Sequence, residues 1–197
     1  MDLLTPRCRF ASFIIVASSI GVTGHLLSQG AVPARSGAEP SLEYQVKAAY
    51  LLNFTRYVDW PSQSFDAPGA PLTICVLGRD PFGPVLDKTV LGRTTHGRPV
   101  SVRRVSTGRE AAACHLVFIG GETWRTQRDL LGTLRSLGLL TVGESPEFAQ
   151  EGGVIGFTIQ NETVRFVVNA KARDRAGLRI SSRMLSLAAA VYNETGS

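Results

Sequence analysis

Three short loops combine a glycine with charged residues directly after an apolar segment. Their sequences are VLGRDP, FIGGET and TVGESP, and the candidate ligand-binding residues in them are Gly78, Arg79, Asp80, Gly120, Gly121, Glu122, Gly143 and Glu144. Glycine lets the chain leave a strand, and an acidic side chain near a helix start interacts favourably with the helix dipole. The same loops could form a ligand crevice, because open α/β sheets bind ligands outside the carboxyl ends of their strands. The first interpretation is favoured, since the loops lack the full phosphate-loop and dinucleotide-binding motifs.

The sequence gives little support for catalysis. It contains no nucleophile elbow, no zinc-binding motif and no Ser-His-Asp order. Asp80, Glu122 and Glu144 could converge as carboxylates at one sheet edge, but many α/β folds would show that combination by chance. His96 and His115 have no metal-ligand spacing. We therefore expect no metal, no cofactor and no enzymatic activity.

Residues 1–38 have the order of a secretory signal peptide. Arg7 and Arg9 precede an apolar stretch at residues 10–27, which is followed by small residues. This order predicts a leader that is removed on export and a folded domain over residues 39–197. An uncleaved membrane anchor is the alternative, because the stretch is just long enough to span a bilayer.

Cys75 and Cys114 are the cysteines that lie beyond this leader. An even pair in an exported chain is typical of a single structural disulfide. A redox-responsive disulfide and two free thiols stay open as alternatives. Thioredoxin-type enzymes use two cysteines separated by two residues, and that spacing is absent.

The opening helix carries the candidate partner-binding residues. Polar residues recur every four positions at Glu43, Lys47, Thr55 and Asp59, and Leu51 occupies the position between Lys47 and Thr55. This stripe predicts a solvent-facing side on which a leucine is unexpected. Leu51 could be a partner contact, an ordinary exposed leucine, or a residue covered by the C-terminal helix or a loop. The side predicted to face the core is formed by Val46, Tyr50, Phe54, Tyr57 and Val58.

Beyond the leader, strand patterns alternate with helix patterns. The predicted strands cover residues 72–77, 98–105, 115–120 and 139–143, with a hairpin at 153–169, and the predicted helices cover 43–61, 80–91, 123–137 and 181–192. Asp80 is the predicted N-cap of the second helix. Strands separated by helices predict a single α/β domain, with a mixed but mostly parallel sheet flanked by helices and a late antiparallel hairpin at its edge. Residues 1–38 contribute +2 to the net charge of +5, so the remaining domain carries +3. A charge of +3 with scattered arginines is not typical of a nucleic-acid-binding protein.

Several segments together resemble the YfiR family of periplasmic bacterial proteins. They cover nearly all of the chain beyond the leader, in family order, and read EYQVKAAYLLNFTRYVDWP, ICVLGRDPFG, CHLVFIG, GLLTVGESPEFAQEGGVIGFTIQNETVRFVVN and AGLRISSRMLSLA. The resemblance implies a non-enzymatic regulator that binds and represses an inner-membrane diguanylate cyclase, and so controls cyclic-di-GMP signalling and biofilm formation. It also implies a peptidoglycan-associated lipoprotein that can sequester the regulator.

The resemblance implies a homodimer and redox-sensitive disulfides as well. Cys75 and Cys114 match one cysteine pair of the family. A second pair, which some members have in the region of residues 144–153, has no cysteines here. Any redox switch based on that second pair is therefore not expected in this protein.

Three functional classes remain open at this stage. A regulatory interaction protein is favoured, and in it Leu51, between Lys47 and Thr55, would be an apolar contact for the partner. A periplasmic small-ligand-binding protein would use the three glycine loops instead. An uncharacterised enzyme is the third class.

Overall fold

The computed structural model describes residues 40–121, 123–127 and 129–193. The predicted leader at residues 1–38 and the candidate residue Glu122 lie outside these ranges, so their predictions stay untested. Within the described ranges, no helix has both the length and the apolar character needed to cross a membrane.

The described part of the chain contains seven α-helices and ten strands. The helices are α1 Leu42–Tyr57, α2 Pro84–Val90, α3 Thr123–Thr126, α4 Leu130–Arg135, α5 Pro146–Gln150, α6 Ala170–Arg175 and α7 Ser182–Leu187. The strands are β1 Val58–Asp59, β2 Leu72–Gly78, β3 Thr94–Thr95, β4 Arg98–Val105, β5 Leu116–Gly120, β6 Leu140–Gly143, β7 Ile155–Gln160, β8 Thr163–Asn169, β9 Arg179–Ile180 and β10 Ala190–Tyr192.

Eight of these described strands form one mixed sheet in the order β10-β8-β7-β6-β5-β2-β4-β3. The central pairs from β4 through β7 are parallel. The β7–β8 hairpin and the β3–β4 pair are antiparallel. The remaining two strands, β1 and β9, pair antiparallel with each other. The predicted α/β class and the mostly parallel sheet are confirmed.

The sheet is covered on both faces because its central strands are apolar on both sides. Alternate residues of β2 enter different cores: Ile74 packs with Phe54 and Phe157, whereas Cys75 packs with Leu134 and Phe148. Parallel strands buried on both faces are expected to be nearly continuous in apolar residues. This two-sided burial places α1 and α2 on one face and α4 and α5 on the other, which positions the loops at the strand ends.

Two predictions at the C-terminal side of the chain are wrong in part. The hairpin is antiparallel as predicted, but it is not the sheet edge, because β10 pairs in parallel outside β8. The helix predicted over residues 181–192 ends at Leu187, and residues 190–192 form β10 instead. Pairing with β8 overrides the helix propensity of the alanines at residues 188–190, and Val191 and Tyr192 themselves favour a strand.

Helix boundaries differ from the predictions elsewhere too. The opening helix ends at Tyr57, ahead of Pro61, because the next residues pair with β9. The second helix begins at Pro84, with Gly83 as its N-cap, so the predicted N-cap role of Asp80 is wrong. The predicted helix at 123–137 is present as the two short helices α3 and α4.

Candidate functional site

The three glycine loops lie side by side at the carboxyl ends of β2, β5 and β6. Gly78 is in register with Gly120 on the neighbouring strand, and Ile119 is in register with Gly143. This sheet edge is where an open α/β fold binds ligands. The candidate ligand-binding residues are therefore brought together, apart from Glu122, which is outside the described residues.

The glycines of these loops are required by contacts within the protein. A Cβ atom at Gly120 would overlap the carbonyl oxygen of Arg79, and one at Gly143 would overlap the ring of Phe148. Gly78 has a φ of +83°, and a Cβ there would overlap the Thr123 hydroxyl. Only glycine allows such close approach and such a backbone angle. Turn and packing chemistry accounts for the three glycines without a ligand.

Glu144 is the centre of a hydrogen-bonded group at this edge. Its Oε2 accepts a 2.6 Å hydrogen bond from the backbone N–H of Gly121, and its Oε1 accepts a 2.8 Å hydrogen bond from the Tyr44 hydroxyl. The Nζ of Lys47 lies 3.9 Å from Oε1 and 2.5 Å from the carboxylate of Glu43. We refer to Glu43, Tyr44, Lys47 and Glu144 as the Glu144 cluster.

Burial strengthens the interactions of this cluster. The Lys47 side chain is only 4% exposed, and its Nζ lies 4.8 Å from the ring centre of Tyr44 and 5.6 Å from that of Phe157. Burial, followed by the hydrogen bond to the Glu144 carboxylate, raises the pKa of Tyr44 to about 12. A buried charge is tolerated only when it is paired, and Lys47 satisfies this with two carboxylates and two aromatic faces.

The cluster fills the ligand-binding edge of the sheet with the protein's own side chains. Tyr44 and Lys47 come from the first turns of α1, and they contact the loops after β5 and β6 directly or through Glu144. The crevice at this point is therefore occupied from within. This arrangement favours a structural role for the Glu144 carboxylate over recognition of a small ligand.

Asp80 has internal partners as well. Its Oδ1 accepts hydrogen bonds from the backbone N–H groups of Phe82 and Gly83, at 2.8 and 3.2 Å. Its Oδ2 lies 3.0 Å from Nε of Arg104, whose other nitrogens contact Asp87 at 2.6 Å. The hydrogen bond from Arg104 lowers the pKa of Asp87. Asp80 thus shapes the turn before α2 and fastens it to β4.

The polar stripe of α1 is buried at Lys47, Leu51 and Thr55, so the predicted solvent-facing side is wrong there. Of the three alternatives for Leu51, the covered residue is the one that the structure bears out. Leu51 and Thr55 are fully buried and Lys47 is 3% exposed. Thr55 finds partners inside the fold, since its hydroxyl donates to the carbonyl of Leu52 and lies 3.1 Å from the hydroxyl of Thr95. The physical reason is that Thr55 and Lys47 meet their hydrogen-bonding needs internally, and no longer require water.

The predicted core side of α1 is confirmed only in part. Phe54 and Val58 are buried, while Tyr50 and Tyr57 are half-buried. Val46 is 36% exposed, so its predicted burial is wrong. The outer face of α1 is instead formed by residues spaced three to four positions apart, namely Leu42, Val46, Ala49 and Asn53.

The structure confirms the Cys75–Cys114 disulfide. The two Cα atoms are 6.0 Å apart, and the bond closes a loop with a sequence separation of 39. Both cysteines are buried in the core on the α4 and α5 side of the sheet. This burial is typical of a structural disulfide, and a redox-responsive role stays a prediction.

Sequence reasoning overlooked Tyr44 and Glu43 as members of the site. Glu43 and Lys47 are four positions apart, and Tyr44 and Lys47 are three apart, which are the spacings at which helix side chains meet. These spacings could have indicated the pairing, but not the third partner, which is distant in sequence. Among the described residues, no group of three or more His, Cys, Asp or Glu side chains is arranged to hold a metal ion.

The site defines an α/β domain whose sheet edge is closed by its own opening helix. The family model described as YfiR/HmsC-like (DUF4154) matches residues 44–189, from the first turn of α1 to the segment after α7. The chain belongs to this family. The family is one of periplasmic regulators of cyclic-di-GMP signalling rather than of catalytic proteins.

The chain is similar to solved structures at low sequence identity. A crystal structure of a conserved domain protein from Vibrio cholerae O1 biovar El Tor matches with a TM-score of 0.51 and 9% identity, over 75% of this chain and 60% of that one. The ABC domain from Streptococcus pneumonia in complex with L-Trp matches with a TM-score of 0.45 and 14% identity, over 61% of this chain and 55% of that one. The chain thus spans less than two thirds of each protein, and the first likeness indicates the fold alone.

Proposed function

We propose that the protein is an exported, non-enzymatic regulator that binds the periplasmic region of an inner-membrane diguanylate cyclase and represses it. Repression would lower cyclic-di-GMP and thereby biofilm formation. The observation that carries the proposal is the family match over residues 44–189, which spans almost the whole described domain. A homodimer, and a peptidoglycan-associated lipoprotein that sequesters the regulator, are further parts of the proposal.

The arrangement of the sheet edge supports a protein partner over a small ligand. A small-ligand-binding protein would use the loops after β2, β5 and β6, yet Glu144 is engaged by Tyr44 and Gly121, and Asp80 by Arg104. The alternative function therefore has less support. Saturable stabilisation of the pure protein by a small molecule would favour it instead.

The outer face of α1 is the surface we propose for the partner, in place of the buried Leu51. Leu42 is 74% exposed and Val46 is 36% exposed, one turn apart on the same side of the helix. Contiguous exposed apolar surface is typical of interaction sites, whereas single exposed apolar residues are common on any protein. Leu91, at the end of α2, is 81% exposed and offers a matched control at another position.

Co-purification from membranes tests the proposal. The tagged protein should retain a diguanylate cyclase when membranes are solubilised in mild detergent, and Leu91→Lys should retain it equally well. Leu42→Lys combined with Val46→Lys should lose the cyclase while the melting temperature stays unchanged. If the wild-type protein retains no cyclase, with or without reductant, the proposed function is wrong. If the α1 variant retains the cyclase as well as the wild type does, the function stands and the proposed surface is wrong.

Export is proposed on the order of features in residues 1–38. Intact-mass measurement of the periplasmic protein should show loss of roughly the first 30–38 residues, as expected for a cleaved signal peptide and its flanking residues. A full-length protein that stays in the membrane fraction would support the anchor alternative.

A further inference from the structure

His115 is a buried histidine whose two ring nitrogens join separate parts of the chain. The backbone N–H of Thr73 donates a 3.1 Å hydrogen bond to Nδ1, and Nε2 lies 3.0 Å from the carbonyl oxygen of Ser64. Because Nδ1 accepts, it carries no proton. Because a carbonyl can only accept, Nε2 must carry one. Both partners are satisfied only by the neutral ring with its proton on Nε2.

Aromatic contacts extend this connection along the segment of residues 60–70. The ring of Phe65 stacks on His115 at a centroid distance of 4.4 Å and an angle of 24°. The indole of Trp60 lies edge-on, 6.3 Å from the imidazole, and its Nε1 donates to the His115 carbonyl at 3.2 Å. The histidine thus contacts this segment through its side chain and its backbone.

Two charged groups act on His115 from the surrounding chain. Arg98, at the start of β4, places its guanidinium 3.8 Å from the ring centre of Phe65 and donates to the carbonyls of Ala67 and Ala70. Asp66, in the segment itself, carries the opposite charge. Burial lowers the pKa of His115 and the positive charge of Arg98 lowers it further, whereas the Ser64 carbonyl and Asp66 act in the opposite direction.

Protonation of His115 would disrupt the contacts that hold residues 60–70 against the sheet. An imidazolium has N–H groups on both ring nitrogens. Its Nδ1–H would then point at the N–H of Thr73, and a second positive charge would stand beside the Arg98–Phe65 pair. The Thr73 N–H offers no acceptor for the new Nδ1–H, and Asp66 would have to balance two positive charges, His115 and Arg98. The ring would therefore leave its site, and Ser64 and Phe65 would lose their anchor.

We propose that His115 is a pH-sensitive clamp, which holds residues 60–70 on the sheet while it is neutral and releases them when the surrounding medium becomes acidic. The release would change the surface around Trp60 without unfolding the domain. The clamp is intact at neutral pH, because the ring titrates below the ordinary histidine value of 6.5. The proposal is independent of the identity of any partner and adds a regulatory input to the periplasmic domain.

Fluorescence of Trp60 tests the clamp on the exported protein. The chain has two tryptophans, so Trp124→Phe leaves Trp60 as the reporter. Between pH 7.5 and pH 4.5, a range chosen to bracket the titration, emission should shift to the red and quenching by acrylamide should rise, with a midpoint below 6.5. His115→Asn keeps an acceptor for Thr73 but cannot titrate, so the transition should be lost. His96→Gln, at the exposed histidine, should retain it.

A second measurement on the unmutated protein covers the case in which His115→Asn fails to fold. Side-chain ¹⁵N shifts should show His115 with its proton on Nε2 at pH 7.5, and its titration should coincide with a shift of the Trp60 indole N–H. The proposal is overturned if Trp60 does not respond to acid, if its response persists in His115→Asn, or if His115 titrates without any change at Trp60.

Discussion

The hydroxyl of Tyr44 donates a 2.8 Å hydrogen bond to the carboxylate of Glu144, a residue 100 positions further along the chain. The bond joins the first turn of α1 to the loop after β6, at the edge where related folds admit a ligand. The start of the domain is thereby fastened to the end of its central strands. The closed edge explains why the acidic loops do not form a free binding site.

Removal of this bond should destabilise the domain. Tyr44→Phe deletes the donor and leaves one Glu144 oxygen without it, and a hydrogen bond to a charged group contributes about 1–3 kcal/mol. Urea unfolding should show a loss of that size. Tyr50→Phe is the matched control on the same helix, because its hydroxyl makes a longer 3.3 Å bond to the carbonyl of Val164. Equal losses for the two variants would contradict the role assigned to Tyr44.

The pKa of Tyr44 predicts how the folding stability of the domain changes at alkaline pH. The pKa of Tyr44 is raised from 10.0 to about 12 in the folded protein. Above pH 10 the unfolded chain loses this proton while the folded protein keeps it. The contribution of Tyr44 is therefore fully present below pH 10 and is lost as pH rises toward 12. Unfolding midpoints measured from pH 9 upward should fall less steeply for Tyr44→Phe than for the wild type.

Leu51 and Leu42 should differ sharply in their effect on stability. Leu51 is fully buried and Leu42 is 74% exposed, although both lie on α1. Leu51→Ala should cost about 2–5 kcal/mol, because it leaves a cavity in the core. Leu42→Ala should change stability by no more than about 0.5 kcal/mol. Thermal melts of both variants measure this, and a neutral Leu51→Ala would show that the leucine is not packed in the core.

The Cys75–Cys114 bond should contribute substantially to stability. The chain-entropy account gives roughly 4 kcal/mol for a loop of this length, and the sequence separation is 39. Replacement of both cysteines by serine should lower the melting temperature, and so should reduction of the wild type. Peptide mapping without reductant should recover the two cysteine peptides as one linked species. Free thiols in the exported, air-oxidised protein would contradict the bond.

The sheet could be predicted from the sequence because its signal is local. The continuous apolar run at residues 72–77 and the alternating run at 98–105 correspond closely to β2 and β4. The last strand could not be predicted in this way. The alanines at residues 188–190 extend the helix pattern of residues 181–187, and Val191 and Tyr192 form a strand by pairing with β8, more than 20 residues earlier.

The orientation of α1 shows a second limit of sequence patterns. The pattern predicts that Lys47 and Thr55 lie on a solvent-exposed face, because lysine and threonine are mostly exposed in proteins. In the structure, each has partners within the fold. Those partners, Glu144 and Thr95, are far away in sequence. A polar stripe therefore predicts a solvent-exposed helix face only when its side chains have no partners inside the fold. Partners that are distant in sequence cannot be identified from the helix pattern alone.

Cyclic-di-GMP levels in cells test the central claim most directly. Deletion of the gene should raise cyclic-di-GMP, and the wild-type protein or Leu91→Lys should restore the low level. Leu42→Lys combined with Val46→Lys should be exported in normal amounts but should fail to restore it. If cyclic-di-GMP is the same with and without the protein, in a strain shown to contain the membrane cyclase, the protein is not its repressor.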